Sequence, residues 1–231
     1  MKKIIGLFCI SLLVAATSQV FSQSGVPFKL GLKVAPNIGW MSPGTKDYAG
    51  NGAAIGATVG FVGDFYFAKN YALATGFNFQ FLNGNLQYPD SRVVNKANVD
   101  GQVNRKYNFL YLEIPLMIKM QTKTFGKVSY FGQMGFGTAF RLKASYKEKF
   151  YPAQGLEVDQ QDNLTDSTSL IRESIIIGIG CEYHVDESTR LFFSLNYSNS
   201  LNNVLSGVNH ASRLNERSML NFAELNVGIL F

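Results

Sequence analysis

Apolar and polar residues alternate along most of the chain with a period of two, the spacing of strands whose successive side chains point to opposite faces. Eight runs carry the pattern: Phe28–Trp40, Ala54–Ala68, Tyr71–Asn83, Tyr107–Gln121, Lys127–Lys143, Ile171–Val185, Arg190–Ser200 and Met219–Phe231. In the fourth, Leu110, Leu112, Ile114, Leu116, Ile118 and Met120 share one face, opposite Tyr111, Glu113, Pro115, Met117, Lys119 and Gln121. The sixth sets Ile175, Ile177, Ile179, Cys181 and Tyr183 against Ile176, Gly178, Gly180, Glu182 and His184. The last sets Ala223, Leu225, Val227, Ile229 and Phe231 against Glu224, Asn226, Gly228 and Leu230. Each strand thus has one apolar face and one mixed face.

Connection lengths alternate as well. Ala68–Asn70, Thr122–Gly126 and Asp186–Thr189 are tight, whereas Met41–Ala53, Gly84–Lys106, Ala144–Leu170 and Leu201–Ser218 are long and polar. Short turns on one side and long loops on the other describe an outer-membrane barrel, and each run exceeds the ~9–11 residues that a tilted strand needs to cross a bilayer. A soluble eight-stranded barrel would alternate too, with its apolar face inside. Two features oppose that reading. The mixed face is rich in small residues such as Gly56, Gly60, Ala74, Gly76, Gly135 and Ala139, which suits a crowded interior, and the apolar face carries Phe61, Phe77, Phe79, Phe136 and Phe193, which suits lipid. Trp40, Tyr71, Tyr183, Tyr197 and Phe231 lie near strand ends, where aromatic rings favour the membrane interface.

Composition narrows the choice. Only 16% of the 231 residues are charged, against ~25% in ordinary soluble domains, and there are 22 glycines. Beyond the first twenty or so residues no stretch approaches the ~20 apolar residues of a spanning helix, which excludes a helical bundle. The chain is also too short for a porin, whose water-filled channel takes ~16–18 strands. The expected fold is all-β: a monomeric, closed, antiparallel, eight-stranded transmembrane β-barrel with long outer loops and short periplasmic turns.

The first residues form a separate unit. Lys2 and Lys3 precede an apolar run from Ile4 to Ala16, and Val20 and Ser22 fit the −3 and −1 positions of a cleavage site before Gln23. We expect a signal peptide over 1–22 and the barrel domain over 23–231. Cleavage removes Cys9 and leaves Cys181 alone, so no internal disulfide forms despite an oxidising compartment. Losing Lys2 and Lys3 also lowers the formal charge of +5 by two, a small and evenly spread excess that does not argue for nucleic-acid binding.

Lys29, Lys33, Asp64, Glu113, Lys119, Arg141, Lys143, Glu182 and Glu224 fall on the mixed face. An eight-stranded barrel is only wide enough to be filled by side chains, so buried charges of both signs must pair. The predicted lumen network comprises Lys33, Asp64, Glu113, Lys119, Arg141, Glu182 and Glu224, and it closes the lumen; a narrow ion path is the functional alternative. His184 is expected at the inner rim. His210, near Ser206, Ser212 and Glu216, is the one place where a histidine and a serine could serve hydrolysis. Glu157, Asp159, Asp162 and Asp166 read as a solvated acidic loop, since their spacing fits no calcium-binding loop. Arg92, Lys96, Arg105 and Lys106 in the second loop could attract that acidic loop across the mouth, or meet lipid phosphates. No metal, cofactor or catalytic residue is assigned.

Two segments carry a resemblance. The chain end, with Leu225, Val227, Ile229 and Phe231 alternating to a terminal aromatic, resembles the signal by which the barrel-assembly machinery recognises its substrates. Tyr111-Leu112-Glu113-Ile114-Pro115-Leu116-Met117-Ile118-Lys119 resembles the hallmark strand of the PorT-like outer-membrane β-barrel family. That resemblance implies an eight-stranded barrel in the outer membrane and, through the family's founding member, a link to type IX protein secretion. Three functions follow as expectations: a structural or interaction barrel working through its loops or rim, an accessory component of type IX secretion, and a lipid-modifying enzyme. The expected partners are outer-membrane lipid, the assembly machinery, and secretion components or surface ligands.

Overall fold

The computed structural model describes residues 28–94, 97–152, 158–164, 167–186, 188–209 and 213–231. They form strands β1 (Phe28–Pro43), β2 (Ala49–Gly50), β3 (Ala54–Ala68), β4 (Tyr71–Val94), β5 (Ala97–Gln121), β6 (Val128–Pro152), β7 (Val158–Asn163), β8 (Ile171–His184), β9 (Arg190–Ser200) and β10 (Ser218–Leu230). Eight of them pair in the antiparallel order β4-β3-β1-β10-β9-β8-β6-β5, and β5 pairs back onto β4. The ring of eight strands is therefore closed. Its seam joins the first and last strands: Phe231 N donates to Leu30 O at 2.8 Å and Leu30 N to Phe231 O at 3.0 Å. The predicted leader and its cleavage site lie outside the described residues.

The faces fall as the alternation requires. Phe61, Phe77, Leu116, Phe136 and Ile179 are exposed on the outer wall, while Lys33, Asp64, Glu113, Lys119, Glu182 and Glu224 are buried inside. Large apolar groups outside and charges inside are the reverse of a soluble barrel, and they fit a wall solvated by lipid. The interior is crowded: a Cβ on Gly178 would meet Asn196 Oδ1 at 2.0 Å, and one on Gly137 would meet Glu113 Oε1 at 2.8 Å. At the inner end the β5–β6 turn closes with Phe125 N on Val128 O at 2.7 Å, and Gly126 supplies its positive φ of 63°. In the β8–β9 turn, Asp186 Oδ1 accepts from the backbone N–H of Thr189 at 2.7 Å and of Ser188 at 2.8 Å. These bonds hold its carboxyl down to about 2.

Two expectations are corrected at the outer end. Gly84–Lys106 is not a loop but a continuation of the β4–β5 hairpin, paired residue by residue to Val94↔Ala97. Likewise β6 runs on to Pro152 with β7 beside it, so that much of 144–170 is strand. β4, β5 and β6 reach 24, 25 and 25 residues, more than twice what the bilayer needs. The second correction concerns phase. Leu110 pairs with Lys143 and Tyr111 with Arg141, which leaves Leu142 as a bulge in β6. Beyond it the inward positions shift by one, so Lys143 is exposed rather than lumenal, and Ala144, Glu148 and Phe150 point inward.

Candidate functional site

Near the short turns, Lys119 Nζ from β5 donates to Asp64 Oδ2 of β3 and to Glu182 Oε1 of β8, at 2.5 Å each. Glu182 Oε2 also accepts from Gln121 Nε2 at 2.7 Å and Arg190 Nη1 at 2.9 Å. Four strands are thereby tied across a lumen no wider than their side chains. Lys119 is 4% exposed and its ammonium lies 4.3 Å from the Phe131 ring centre. A cavity of about 40 Å³ borders this layer, on the scale of a few water molecules.

The central layer rests on two carboxylates. Glu224 Oε1 accepts from Lys33 Nζ at 3.0 Å and Asn196 Nδ2 at 3.2 Å. Glu113 Oε2 accepts from Asn78 Nδ2 at 3.0 Å, and its Oε1 lies 3.8 Å from Arg172 Nη1. Arg172 is completely buried, donates to Ser198 Oγ at 2.8 Å and to the Leu220 carbonyl at 3.2 Å, and covers the Phe222 ring at 5.0 Å.

Above this layer the lumen turns apolar. Leu82, Leu86, Val103, Tyr107, Phe109 and Phe222 belong to one buried cluster that fills the outer half of the barrel. Tyr107, Phe109 and Tyr111 stack in sequence, with ring centres 6.1 and 5.7 Å apart. Over the plug lies a cavity of about 390 Å³ in the outer mouth. On its wall Glu148 takes Arg92 Nη2 at 2.7 Å on one oxygen and Arg105 Nε at 2.5 Å on the other. Arg92 Nε also donates to Asp90 Oδ2 at 3.0 Å. Glu216 Oε1 accepts from the Tyr48 hydroxyl at 2.9 Å, and Tyr48 stacks on Tyr88 at 4.4 Å. These groups stand outside the bilayer, on the extension of β4, β5 and β6 and on the first and last loops. Burial raises the Tyr88 phenol well above its usual range, against the pull of Arg105, so it stays neutral. Burial alone would lower Arg105, but the neighbouring Glu148 and Glu216 carboxylates raise it, so it stays charged.

Six of the seven predicted network residues, Lys33, Asp64, Glu113, Lys119, Glu182 and Glu224, are thus brought together in two adjoining layers. Arg141 is not. It is half-buried and paired with Tyr111 at the level of the aromatic plug, above the ion-paired layers, and its Nη1 donates to Thr168 Oγ1 at 2.5 Å and to the Thr168 carbonyl. Lys29 sits at the inner rim, donating to Ser188 O at 2.6 Å. Arg92 and Arg105 of the second hairpin, which could attract the acidic loop or meet lipid phosphates, both meet Glu148 of β6, and the side chains of Glu157, Asp159, Asp162 and Asp166 lie outside the described residues. The sequence reading missed Arg172, whose even position on the sixth run already placed it on the mixed face. It also missed Ser129, whose hydroxyl lies 2.9 Å from His184 Nε2. That pair is a rim hydrogen bond in which Ser129 Oγ also accepts from Gln121 at 2.7 Å, and Glu182, the nearby carboxylate, is already committed to Lys119, Gln121 and Arg190. His210 and Ser212 lie outside the described residues. Among the described residues no group of three His, Cys, Asp or Glu side chains could hold a metal ion.

A family model for the outer membrane protein beta-barrel domain matches residues 18–206. The chain belongs to this family. Membership places the barrel in the outer membrane, in keeping with its lipid-facing wall. Among solved structures the outer-membrane barrel is similar to Neisserial surface protein A, at 11% identity and a TM-score of 0.47, over 88% of this chain and 95% of that one. It is also similar to Ail, the attachment invasion locus protein of Yersinia pestis, at 10% identity and a TM-score of 0.39, over 88% and 98%. OprG from Pseudomonas aeruginosa gives 10% identity and a TM-score of 0.43, over 88% and 95%. Among curated proteins no sequence matches the chain.

Proposed function

We propose that this barrel is a monomeric, non-enzymatic surface protein that works through its outer extension. One observation carries the reading: the lumen is filled at every level, by ion pairs below and by aromatic side chains above, while β4, β5 and β6 build a continuously paired sheet beyond the bilayer. From Asn83 to Val94 alone that hairpin adds roughly 40 Å of strand at ~3.3 Å per residue. A loop with no task has no reason to be so long and so fully paired. We assign no catalytic role, since the Ser129–His184 pair lacks the free carboxylate that would orient the imidazole. Leu225, Val227, Ile229 and Phe231 line the lipid face of the seam strand and its end, where the assembly machinery would read them before the ring closes.

The test replaces 89–102 by a two-residue turn joining Tyr88 to Val103, which leaves the plug and Arg105 in place. The shortened barrel should still fold, judged by its heat-modifiable mobility in gel electrophoresis, while surface crosslinks from intact cells are lost. Unchanged crosslinks would overturn the reading. The PorT-like resemblance suggests a second reading, an accessory role in secretion. Its hallmark segment, Tyr111–Lys119, sends Glu113 and Lys119 into the lumen, so the barrel interior already accounts for its pattern. Retention of secreted cargo in the periplasm on loss of the gene, with surface crosslinks unaffected by the truncation, would favour secretion.

A further inference from the structure

The outer-mouth cavity has the size of a small-molecule site, ~300–1,000 Å³. Among the described residues its ionised lining consists of Arg92 and Arg105 against Asp90, Glu148 and Glu216. Each guanidinium already faces a carboxylate, and the small remaining balance is negative, so the cavity offers no net attraction to an anion. What remains is hydrogen-bonding capacity. Tyr88 lines the cavity and is 2% exposed, and its hydroxyl has no hydrogen-bond partner. A buried hydroxyl without a partner is unfavourable, and the deficit is removed when a ligand supplies one; the hydroxyl has almost no accessible surface, so its neighbours must shift to admit the ligand group. Beside it, Arg105 Nη1 and Glu216 Oε1 stand 3.8 Å apart, too far for a direct hydrogen bond. That places a donor and an acceptor side by side, an arrangement that one hydroxyl, able both to donate and to accept, satisfies at once. Asn209, Ser91 and Ser167 continue the polar lining.

We propose that this cavity binds an uncharged saccharide, which brings several such hydroxyls at sugar-ring spacing and no net charge. The proposal rests on the surface-interaction reading above and names its ligand class. The saccharide could come from the surroundings or from the cell's own surface glycolipid, and the chemistry is the same.

The barrel is refolded in an amine-oxide detergent, which carries no sugar headgroup, and titrated calorimetrically. The probes are maltotriose, mannotriose, chitotriose, sulfated maltotriose and the neutral oligosaccharide released from the cell's own glycolipid. At least one neutral probe should saturate, with Kd on the order of 0.1–1 mM, and sulfated maltotriose should bind at least about tenfold more weakly. Saturation by the released oligosaccharide alone would assign the site to the cell's own glycolipid, and by the trisaccharides to external glycans. Tyr88→Phe should weaken binding roughly five- to tenfold while leaving the unfolding midpoint unchanged or raised, because it removes only an unpartnered group. Ser91→Trp, at the exposed lip, should block binding without affecting folding. No saturation by any neutral probe up to about 20 mM, tighter binding of the sulfated probe, or an unchanged affinity in both variants would each overturn the proposal. Should the saccharides fail while the 89–102 truncation still abolishes surface crosslinks, the ligand class falls and the surface reading stands.

Discussion

Lys119 holds two carboxylates from strands on different sides of the lumen, and among the described residues no other cation is ion-paired with both. Removing a single partner from a buried ion network leaves an uncompensated charge, at about 3–5 kcal/mol, far more than the pair contributes relative to an apolar replacement. Lys119→Met should therefore destabilise the barrel by about 3 kcal/mol or more, read as a lowered urea midpoint in detergent. Adding Asp64→Asn should recover part of the loss, since Glu182 keeps Arg190. A Lys119→Met barrel as stable as the parent would show that the network is dispensable. The inward placement of Asp64, Lys119 and Glu182 was legible in the sequence, because parity within each strand decides the face. Their pairing was not: Asp64 and Lys119 are 55 residues apart, Lys119 and Glu182 are 63, and only ring closure brings them together.

At the scale of the strand, the alternation holds a second message. In β4 the apolar side chains lie outward through Leu73, Phe77, Phe79 and Phe81, then inward at Leu82, Leu86 and Tyr88, while Asn83, Asn85 and Gln87 take the outer face. β5 mirrors this, with Val103, Tyr107 and Phe109 inward and Leu110 onward apolar outside. The reversal marks where the wall leaves lipid for water: outside the bilayer the hydrophobic effect drives apolar groups inward, as in a soluble protein. Reading for one phase alone ends the strands at that boundary, which is why 84–106 looked like a loop. The bulge at Leu142 was hidden for a related reason, since an extra residue in one strand shows only against its partner's register. Arg141 points inward and Ala144 is buried, so deleting Leu142 would leave simple alternation with Glu148 still facing in. The deletion should cost no more than ~1 kcal/mol and preserve folding by heat-modifiable mobility, whereas a shift of phase in the extension would turn a buried carboxylate outward and separate it from Arg92 and Arg105. Failure of the deletion variant to fold would show that the bulge itself is required.

For the molecule as a whole, the question is whether anything passes through. A path for ions would need a continuous opening, and three different fillings oppose it in series. The inner layer is bridged by Lys119, Asp64 and Glu182 at 2.5 Å, the central one by Arg172 between Glu113 and Ser198, and the outer one is packed with Leu82, Tyr107 and Phe109. The layers differ in chemistry, so no single condition loosens all three: salt and pH act on the ion pairs, and neither acts on the aromatic plug. In a planar lipid bilayer the purified barrel should therefore give no stable conductance steps at neutral pH, nor at raised ionic strength. Lys119→Met should not open it either, because the plug remains, and truncating Tyr107 and Phe109 to alanine should not, because the ion-paired layers remain. Both changes together should not open it while Arg172 still bridges the central layer, and only a variant that adds Arg172→Ala should leak. Stable steps from the unaltered barrel would show that the layers part together, and the assignment of function to the outer surface would then have to yield to transport.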